Sequence, residues 1–349
     1  LQQELNNEKF FLKRADWQAF RAFSAANDVV ILSHTNPDGD AIGSVVAMKR
    51  FLALEGKKST IIIPNKHPEY LSFLDPEVEI VVYKEHRGRA ENLIRSCDLI
   101  LALDFNQLSR IDELETIVRE SISHKVLVDH HPSPERGPFD LVFSETEISS
   151  NCELLYWLFK TITGRDLPLE VAEPLYVGMM TDTNNFANSV LASTFRMASD
   201  LIVAGVDKER LQHLVFGGFS ESRMRLMGYL LSERMTVLPD FEAGFIMLSK
   251  EDQERFSFNE GDSEGFVNMP LSIKGINIAA LFTESEGVVR VSLRSSNDFS
   301  VNKMARRFFN GGGHERASGG KLYIPFDRVA DYFVESLNIC IEEYRNEQI

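Results

Sequence analysis

Five short apolar runs in the first half of the chain constrain its fold more than any other feature. They are VVILSH (29–34), STIIIP (59–64), EIVVY (79–83), DLILALD (98–104) and KVLVDH (125–130). Stretches of helical character near 41–55, 88–96 and 109–121 separate them. Runs this short, apolar almost without alternation, read as strands buried on both faces, and a parallel sheet covered by helices buries its strands in that way. Further helices are predicted near 150–163 and 168–180, and helix formers dominate from 194 to 232, punctuated by AGVDKE and FGGFSES. The pattern changes near 233, where MTVL, AGFIML, INIAALFTE and VVRVSLRS read as strands and 301–309 and 327–345 as helices. The expected fold class is α/β, with a doubly wound, mostly parallel sheet domain over 1–190, a helical connector over 191–232 and a second, smaller α/β domain over 233–349.

A chain of 349 residues that is 44% hydrophobic and 26% charged has material for two cores. Its 37 basic and 52 acidic residues leave a net charge of -15, which argues against a broad basic face for long duplex nucleic acid. That balance is compatible with a short phosphorylated ligand held by metals and a few arginines. Cys97, Cys152 and Cys340 are far apart and form neither a zinc spacing nor an even disulfide set, which suits a reducing compartment. The stretch LQQELNNEKFFLKRADW (1–17) has no apolar signal core, and no run approaches the roughly 18 apolar residues of a membrane span, so a cytoplasmic protein without membrane association is expected.

Ligands of an open parallel sheet bind beyond the carboxyl ends of its strands. The first run leads into SHTNPDGDAIGS (33–44) with His34, Asp38 and Asp40; LILAL ends in Asp104; KVLV ends in Asp129, His130 and His131; and YVGMMTDTNNF delivers Asp182 after an apolar helix end. Taken singly, an acid after a strand is usually a helix cap or turn residue, and a lone histidine is ordinary. Four elements ending in Asp or His at one edge point instead to a site. Asp38 and Asp40 flank a single glycine, so they repel and raise each other's pKa unless a cation sits between them. Gly39 is expected to let the backbone turn tightly there. Carboxylate and imidazole without thiolate suit Mn²⁺, with Mg²⁺, Co²⁺ or Fe²⁺ as options. The number of ligands exceeds the need of one open ion, so two ions roughly 3.5–4 Å apart, sharing a carboxylate, are expected.

These residues resemble the DHH phosphoesterase superfamily, through DGDAIGS (38–44), Asp104, DHH (129–131) and TDT (181–183). The second half resembles the companion DHHA1 domain, through VSLRS (291–295) and GGGHERASGG (311–320). Within the superfamily the chain is similar to the bacterial oligoribonuclease (nanoRNase) and 3′-phosphoadenosine-5′-phosphate phosphatase type. The resemblance implies a two-Mn²⁺ centre in the first domain, facing the second across a cleft. It assigns His34 and Asp38 to one ion, Asp40, His130 and Asp182 to the other, and Asp104 to both. Asp129 would orient the site, and His131 would face the phosphate or leaving group. Arg294, Ser295, Gly311, Gly312, Gly313 and His314 would contact substrate. For these the residues have a chemistry of their own: glycine-loop N–H groups cradle phosphate, and arginine binds it with two parallel hydrogen bonds.

One segment departs from the family pattern. TDT is followed by Asn184 and Asn185 rather than by glycine and an arginine-bearing segment. Asparagine tolerates a left-handed backbone, so the turn is expected to survive, but an arginine–phosphate contact there is lost. Among the 25 phenylalanines a base-stacking surface can also be sought. The expected activity is hydrolysis of short RNA or dinucleotides to mononucleotides, and removal of the 3′-phosphate of 3′-phosphoadenosine-5′-phosphate. The alternatives are a pyrophosphatase or exopolyphosphatase, which would need only a cationic channel, and a non-catalytic nucleotide sensor, against which stands the full set of motif ligands. A homodimer is compatible with the sequence.

Overall fold

The structure, a computed structural model, describes residues 26–74, 78–217, 219–259 and 261–347. The amino-terminal stretch read above for a signal core lies outside the described residues. Two compact units divide at Gly218 and Phe219.

The first unit is built on strands β1 (Asp28–Leu32), β2 (Lys58–Ile63), β3 (Ile80–Val82), β4 (Leu99–Leu103), β5 (His124–Asp129) and β6 (Leu141–Ser144). Its helices are α1 (Gly39–Leu54), α2 (Tyr83–Ser96), α3 (Leu114–Glu120), α4 (Asn151–Thr163), α5 (Leu169–Asp182), α6 (Ala192–Val203) and α7 (Lys208–Phe216). The strands lie in the order β3-β2-β1-β4-β5-β6, and every neighbouring pair is parallel. Alternate residues of each strand enter opposite cores. Ile31, Ile61, Leu101 and Val126 pack with α1, α4 and α5. Val30, Ile62, Ile100 and Leu127 pack with α2 and α3. Burial on both faces is why the strands read as unbroken apolar runs. The order reverses direction at β1, between β2 and β4, and this is the switch point at which side chains from two strand ends can meet.

Some boundaries differ from the sequence reading. The helix expected near 88–96 starts at Tyr83. The one expected near 109–121 is a single 3-10 turn (Leu108–Ile111) followed by α3, because Asp112 takes a left-handed backbone at φ 52. Strand β6 has no run of its own in the reading above; LVFS joins the sheet through pairing with β5. The 191–232 stretch is helical, but its helices are shared out. Met197, Leu201, Leu211 and Val215 of α6 and α7 sit in the core of the first unit.

The second unit contains α8 (Glu221–Tyr229), β7 (Met235–Leu238), β8 (Ala243–Leu248), α9 (Lys250–Arg255), β9 (Ile278–Ser285), β10 (Val288–Ser295), α10 (Val301–Phe308), β11 (Gly312–His314), β12 (Ala317–Leu322) and α11 (Val329–Glu347). Its strand order is β11-β12-β10-β9-β8-β7, with β8 and β9 parallel and the other pairs antiparallel. Val289, Val291 and Leu293 face a core closed by α10 and α11. Leu281 and Ile246 face a second cluster that includes Leu226 and Phe266. Among the described residues, no helix is long and apolar enough to cross a membrane.

Candidate metal centre

Three strand ends and two helix ends assemble the acids. Asp38 caps α1, and its Oδ1 accepts from the amides of Asp40 at 3.1 Å and Ala41 at 3.0 Å. The capping explanation and the site explanation therefore hold together: one oxygen ends the helix, and the side chain still lies in the cluster. Gly39 has a different role from the expected one. It has no left-handed backbone and sits in the first turn of α1, where an added Cβ would stand 2.3 Å from Thr181 Oγ1. Glycine is required by the approach of α5, as it is at Gly178, whose Cβ would meet Cys152 Sγ at 2.2 Å and Asp40 Oδ1 at 2.7 Å.

Ligand atoms of His34, Asp38 and Asp104 lie within 4.8 Å of one another, and so do those of Asp40, His130 and Asp182. Asp104 stands between the two groups. Its Oδ2 is 3.6 Å from His34 Nε2 and its Oδ1 is 3.4 Å from His130 Nε2. His130 Nε2 is in turn 3.7 Å from Asp40 and 3.6 Å from Asp182. Asp104 holds a left-handed backbone, φ 64, immediately after β4, a conformation that a short acidic side chain tolerates better than a branched one.

Asp129 has a different environment. It is fully buried, and it accepts from the backbone N–H of His131 at 3.0 Å and from the His131 ring Nδ1 at 2.8 Å. That bond fixes the proton on Nδ1 and turns Nε2 to the other side of the ring.

Proton affinities show a shortage of positive charge. Burial raises Asp40 well above the usual carboxylate range, and the charges of Asp104 and Asp182 raise it further. Burial pushes Asp182 up to about 6, with Asp38 and Asp104 adding and His130 opposing. Burial alone would lower His130, but Asp104, Asp182 and Asp40 together push it up to about 10. His34 is raised against its burial by Asp104 and Asp38. Burial acts upward on Asp104 too, yet His130 and His34 outweigh it and hold the carboxyl below its usual range. Among the described residues Asp104 Oδ1 is buried without a hydrogen bond. A cluster whose inner carboxylates, Asp40 and Asp104, are buried and which recruits protons onto its imidazoles fits divalent cations.

In the second unit, Arg294 lies on β10 opposite Ala317 and half-buried, with Nη1 donating to the Leu293 carbonyl at 2.9 Å. The hydroxyl of Ser295 is buried and donates to the Phe299 carbonyl at 2.7 Å, a bond that closes the turn into α10. The glycine run is not a loop. Gly312, Gly313 and His314 form β11, paired with Gly319, Ser318 and Ala317 of β12. Glycine is needed there for packing of backbone on backbone: a Cβ on Gly311 would lie 1.9 Å from the Gly319 carbonyl, and one on Gly320 2.3 Å from the Phe309 carbonyl. A strand whose amides are engaged on one side by β12 differs from the expected phosphate-cradling loop.

Comparison with known proteins agrees with this architecture. The DHH family, N-terminal domain, matches residues 28–179, and the DHHA1 domain matches residues 245–343. The bifunctional oligoribonuclease and PAP phosphatase NrnA of Thermus thermophilus is 30% identical over 315 residues, spanning 88% of this chain and 89% of that protein. The chain belongs to the DHH family. Its fold is matched by the solved structure of an exopolyphosphatase-related protein from Bacteroides fragilis, with 39% identity and a TM-score of 0.88 over 94% of this chain and 98% of the other. RecJ of Thermus thermophilus, solved in complex with Mn²⁺, shares the fold at 14% identity and a TM-score of 0.56, over 96% of this chain and 56% of RecJ. As a member of the DHH family the protein is a phosphoester hydrolase.

Sequence reasoning missed the support that this DHH site takes from α4. Both oxygens of Asp40 accept from the amino-terminal turn of that helix, Oδ2 from Asn151 N at 2.6 Å and Oδ1 from Cys152 N at 2.9 Å. The turn is anchored in its own right. Ser150 caps it, and the fully buried Glu153 accepts from Ser149, from Thr194 Oγ1 at 2.8 Å and from Trp157 Nε1 at 3.3 Å. The signal was present as SSNCE, a serine followed three residues later by glutamate, but that pattern announces only a helix start.

Proposed function

We propose that this phosphoesterase cleaves dinucleotides and very short oligoribonucleotides to mononucleotides and removes the 3′-phosphate of 3′-phosphoadenosine-5′-phosphate, using two divalent ions, Mn²⁺ ahead of Mg²⁺ or Co²⁺. The observation that carries the reading is the convergence of His34, Asp38, Asp40, Asp104, His130 and Asp182 into two groups of ligand atoms that meet at Asp104. The Thermus relative, named an oligoribonuclease and PAP phosphatase over nearly its whole length, supports the substrate class. His34 and Asp38 would hold one ion, Asp40, His130 and Asp182 the second, and Asp104 would be shared. Bound there, the ions supply a water acidic enough to attack phosphorus at neutral pH and positive charge at the phosphoryl oxygens.

The remaining steps belong to the chain. The α4 amides keep the Asp40 carboxylate oriented before any cation arrives. Asp129 accepts from Nδ1 of His131 and so turns Nε2 toward the leaving oxygen. The imidazolium, its second proton taken up from solvent at Nε2, gives that proton to the leaving oxygen and returns to the neutral ring with its proton on Nδ1. Substrate selection falls to the second domain, where Arg294 would hold a phosphate other than the one attacked and His314, Gly311, Gly312 and Gly313 would contact the substrate. Ser295 is left out, because its hydroxyl serves the Phe299 carbonyl.

A second reading rests on the Bacteroides structure, described as exopolyphosphatase-related. A turnover panel with Mn²⁺ separates the two. It compares the adenylate dinucleotide pApA, longer RNA, 3′-phosphoadenosine-5′-phosphate, a cyclic dinucleotide and polyphosphate. Release of AMP from pApA at rates well above phosphate release from polyphosphate is expected. Turnover of polyphosphate alone would replace the proposal with the second reading.

A further inference from the structure

The cores and the metal centre leave the exposed ring of an aromatic pair near Asp182 in sequence unaccounted for. Phe195 of α6 is 58% exposed, and its ring stacks on Phe186 with centroids 5.6 Å apart and planes 10° from parallel. Phe186 leans edge-on against Tyr176 of α5 and packs partly against the first core. Its backbone is an outlier: Asn184, Asn185 and Phe186 take φ 48, 55 and 66 in succession. The left-handed region is tolerable for asparagine and costly for an aromatic residue. The turn is held by Phe186 N donating to Thr183 Oγ1 at 3.0 Å, Asn185 N to the Met180 carbonyl at 2.8 Å and Asn188 N to the Thr183 carbonyl at 2.9 Å. It begins two residues after Asp182. On the other side Phe195 follows Thr194, whose hydroxyl bonds Glu153 in the helix that holds Asp40. Phe186 is therefore tied to the helix that ends in Asp182, and Phe195 to the helix whose amides hold Asp40, and strain concentrated beside a site calls for a function.

We propose that the Phe186–Phe195 stack is a nucleobase platform, on which the outward face of Phe195 stacks one base of the substrate. This inference rests on the oligonucleotide reading above and narrows it. The two rings already lie in nearly parallel planes, as successive bases do, and the exposed face of Phe195 extends the stack by one ring. Every base has a π-face, so such a platform accepts any base. The exposed Asn184 and Asn185, each with amide donors and an acceptor, precede Phe186 in the same turn and could serve the base edge. A contact remote from the reacting phosphate binds ground and transition states alike, so its loss is read in KM more than in kcat.

The test uses the full chain with Mn²⁺ and two substrates, pApA and the same dinucleotide backbone lacking its bases. The wild type is expected to favour pApA by about 5- to 150-fold in kcat/KM, carried by KM, the worth of one base–aromatic stack. Phe195→Ala should remove that preference, and Phe195→Trp should keep it. A dinucleotide containing 2-aminopurine and a non-hydrolysable linkage should be quenched on binding to the wild type and less so by Phe195→Ala. An unchanged pApA-to-abasic ratio in a folded Phe195→Ala protein that cleaves pApA overturns the platform and leaves the hydrolytic reading standing. So does an unchanged ratio accompanied by a shift from dimer to monomer, which assigns the ring to a second copy. Quenching by a wild type that cleaves none of the oligonucleotides has the opposite meaning: the platform stands and the hydrolytic reading falls.

Discussion

Each unit buries carboxylates, and their surroundings are opposite. In the second unit Asp252 is buried, and Arg234 meets it with two nitrogens, Nε at 2.9 Å and Nη2 at 3.0 Å. Burial pushes Asp252 up, but Arg234 and Ser249 outweigh it and hold the carboxyl below its usual range. In the first unit burial and like charge raise Asp40 and Asp182, and the cations that face them are imidazoles borrowing protons. A buried acid with its own arginine is a closed structural pair. Buried acids that share histidines are poised for a cation from outside. The contrast separates fold from function without reference to any motif.

The hardest blow to that contrast is Asp104→Asn. Asparagine keeps the left-handed backbone and the shape, so the protein should fold, while the shared carboxylate is lost. Turnover should drop at least about a hundredfold, since even residues supporting a metal's ligands cost up to that much. Fewer than two ions per chain should survive gel filtration. Full activity with full metal content would rule out a shared role.

Next in size is Arg294→Ala, which acts on recognition alone. Loss of a charge-assisted hydrogen bond predicts a roughly ten- to hundredfold fall in kcat/KM for a dinucleotide. Hydrolysis of bis(p-nitrophenyl) phosphate, which has no second phosphate, should stay within about threefold. Equal slowing of both substrates in a folded, metal-replete protein would end the division of labour between the units.

Metal itself gives the third measure. At a free Mn²⁺ concentration about 100-fold over Kd, each bound ion should add about 2.7 kcal/mol to the native state, visible as a higher thermal midpoint. Asp40→Ala should remove one ion's share of the gain, and Arg234→Gln should leave it intact. A midpoint indifferent to Mn²⁺ in the wild type would contradict the cation-seeking reading.

The smallest effect concerns Arg234. Because Asp252 is depressed in the folded protein, its contribution is full above the unfolded carboxyl value of about 3.9 and fades as pH falls through the folded one. Arg234→Gln should cost about 1.5 kcal/mol at pH 7, at the low end for a charged hydrogen bond because the arginine is partly exposed. The gap between variant and wild type should close below about pH 4 in denaturant titrations. A gap of the same size at pH 3 would show that Arg234 acts by packing rather than charge.

Strand existence in the first unit was legible because burial on both faces writes an unbroken apolar run, a purely local signal. The acids at strand ends were legible for the same reason: each follows its run directly, as Asp104 follows LILAL and Asp129 follows KVLV. Short β6 lacked that signal, since its identity depends on pairing with β5.

Tertiary structure alone decided which ends meet. The candidate ligands run from His34 to Asp182, and their convergence depends on β1 lying between β2 and β4 and on α5 ending over the same edge. No local pattern encodes a strand order. It also decided what the glycines are for. Gly39 and Gly178 answer to a neighbouring helix, and Gly311 and Gly320 to a neighbouring backbone, so their need is set by atoms distant in sequence. The anchoring of Asp40 by the α4 amides belongs to the same class, because a helix start is visible in SSNCE but the acid it will face is not. Periodicity, caps and strand ends are properties of a few consecutive residues, and these the sequence determined. Close approach and shared charge arise only when distant segments pack, and these were decided by the folded chain.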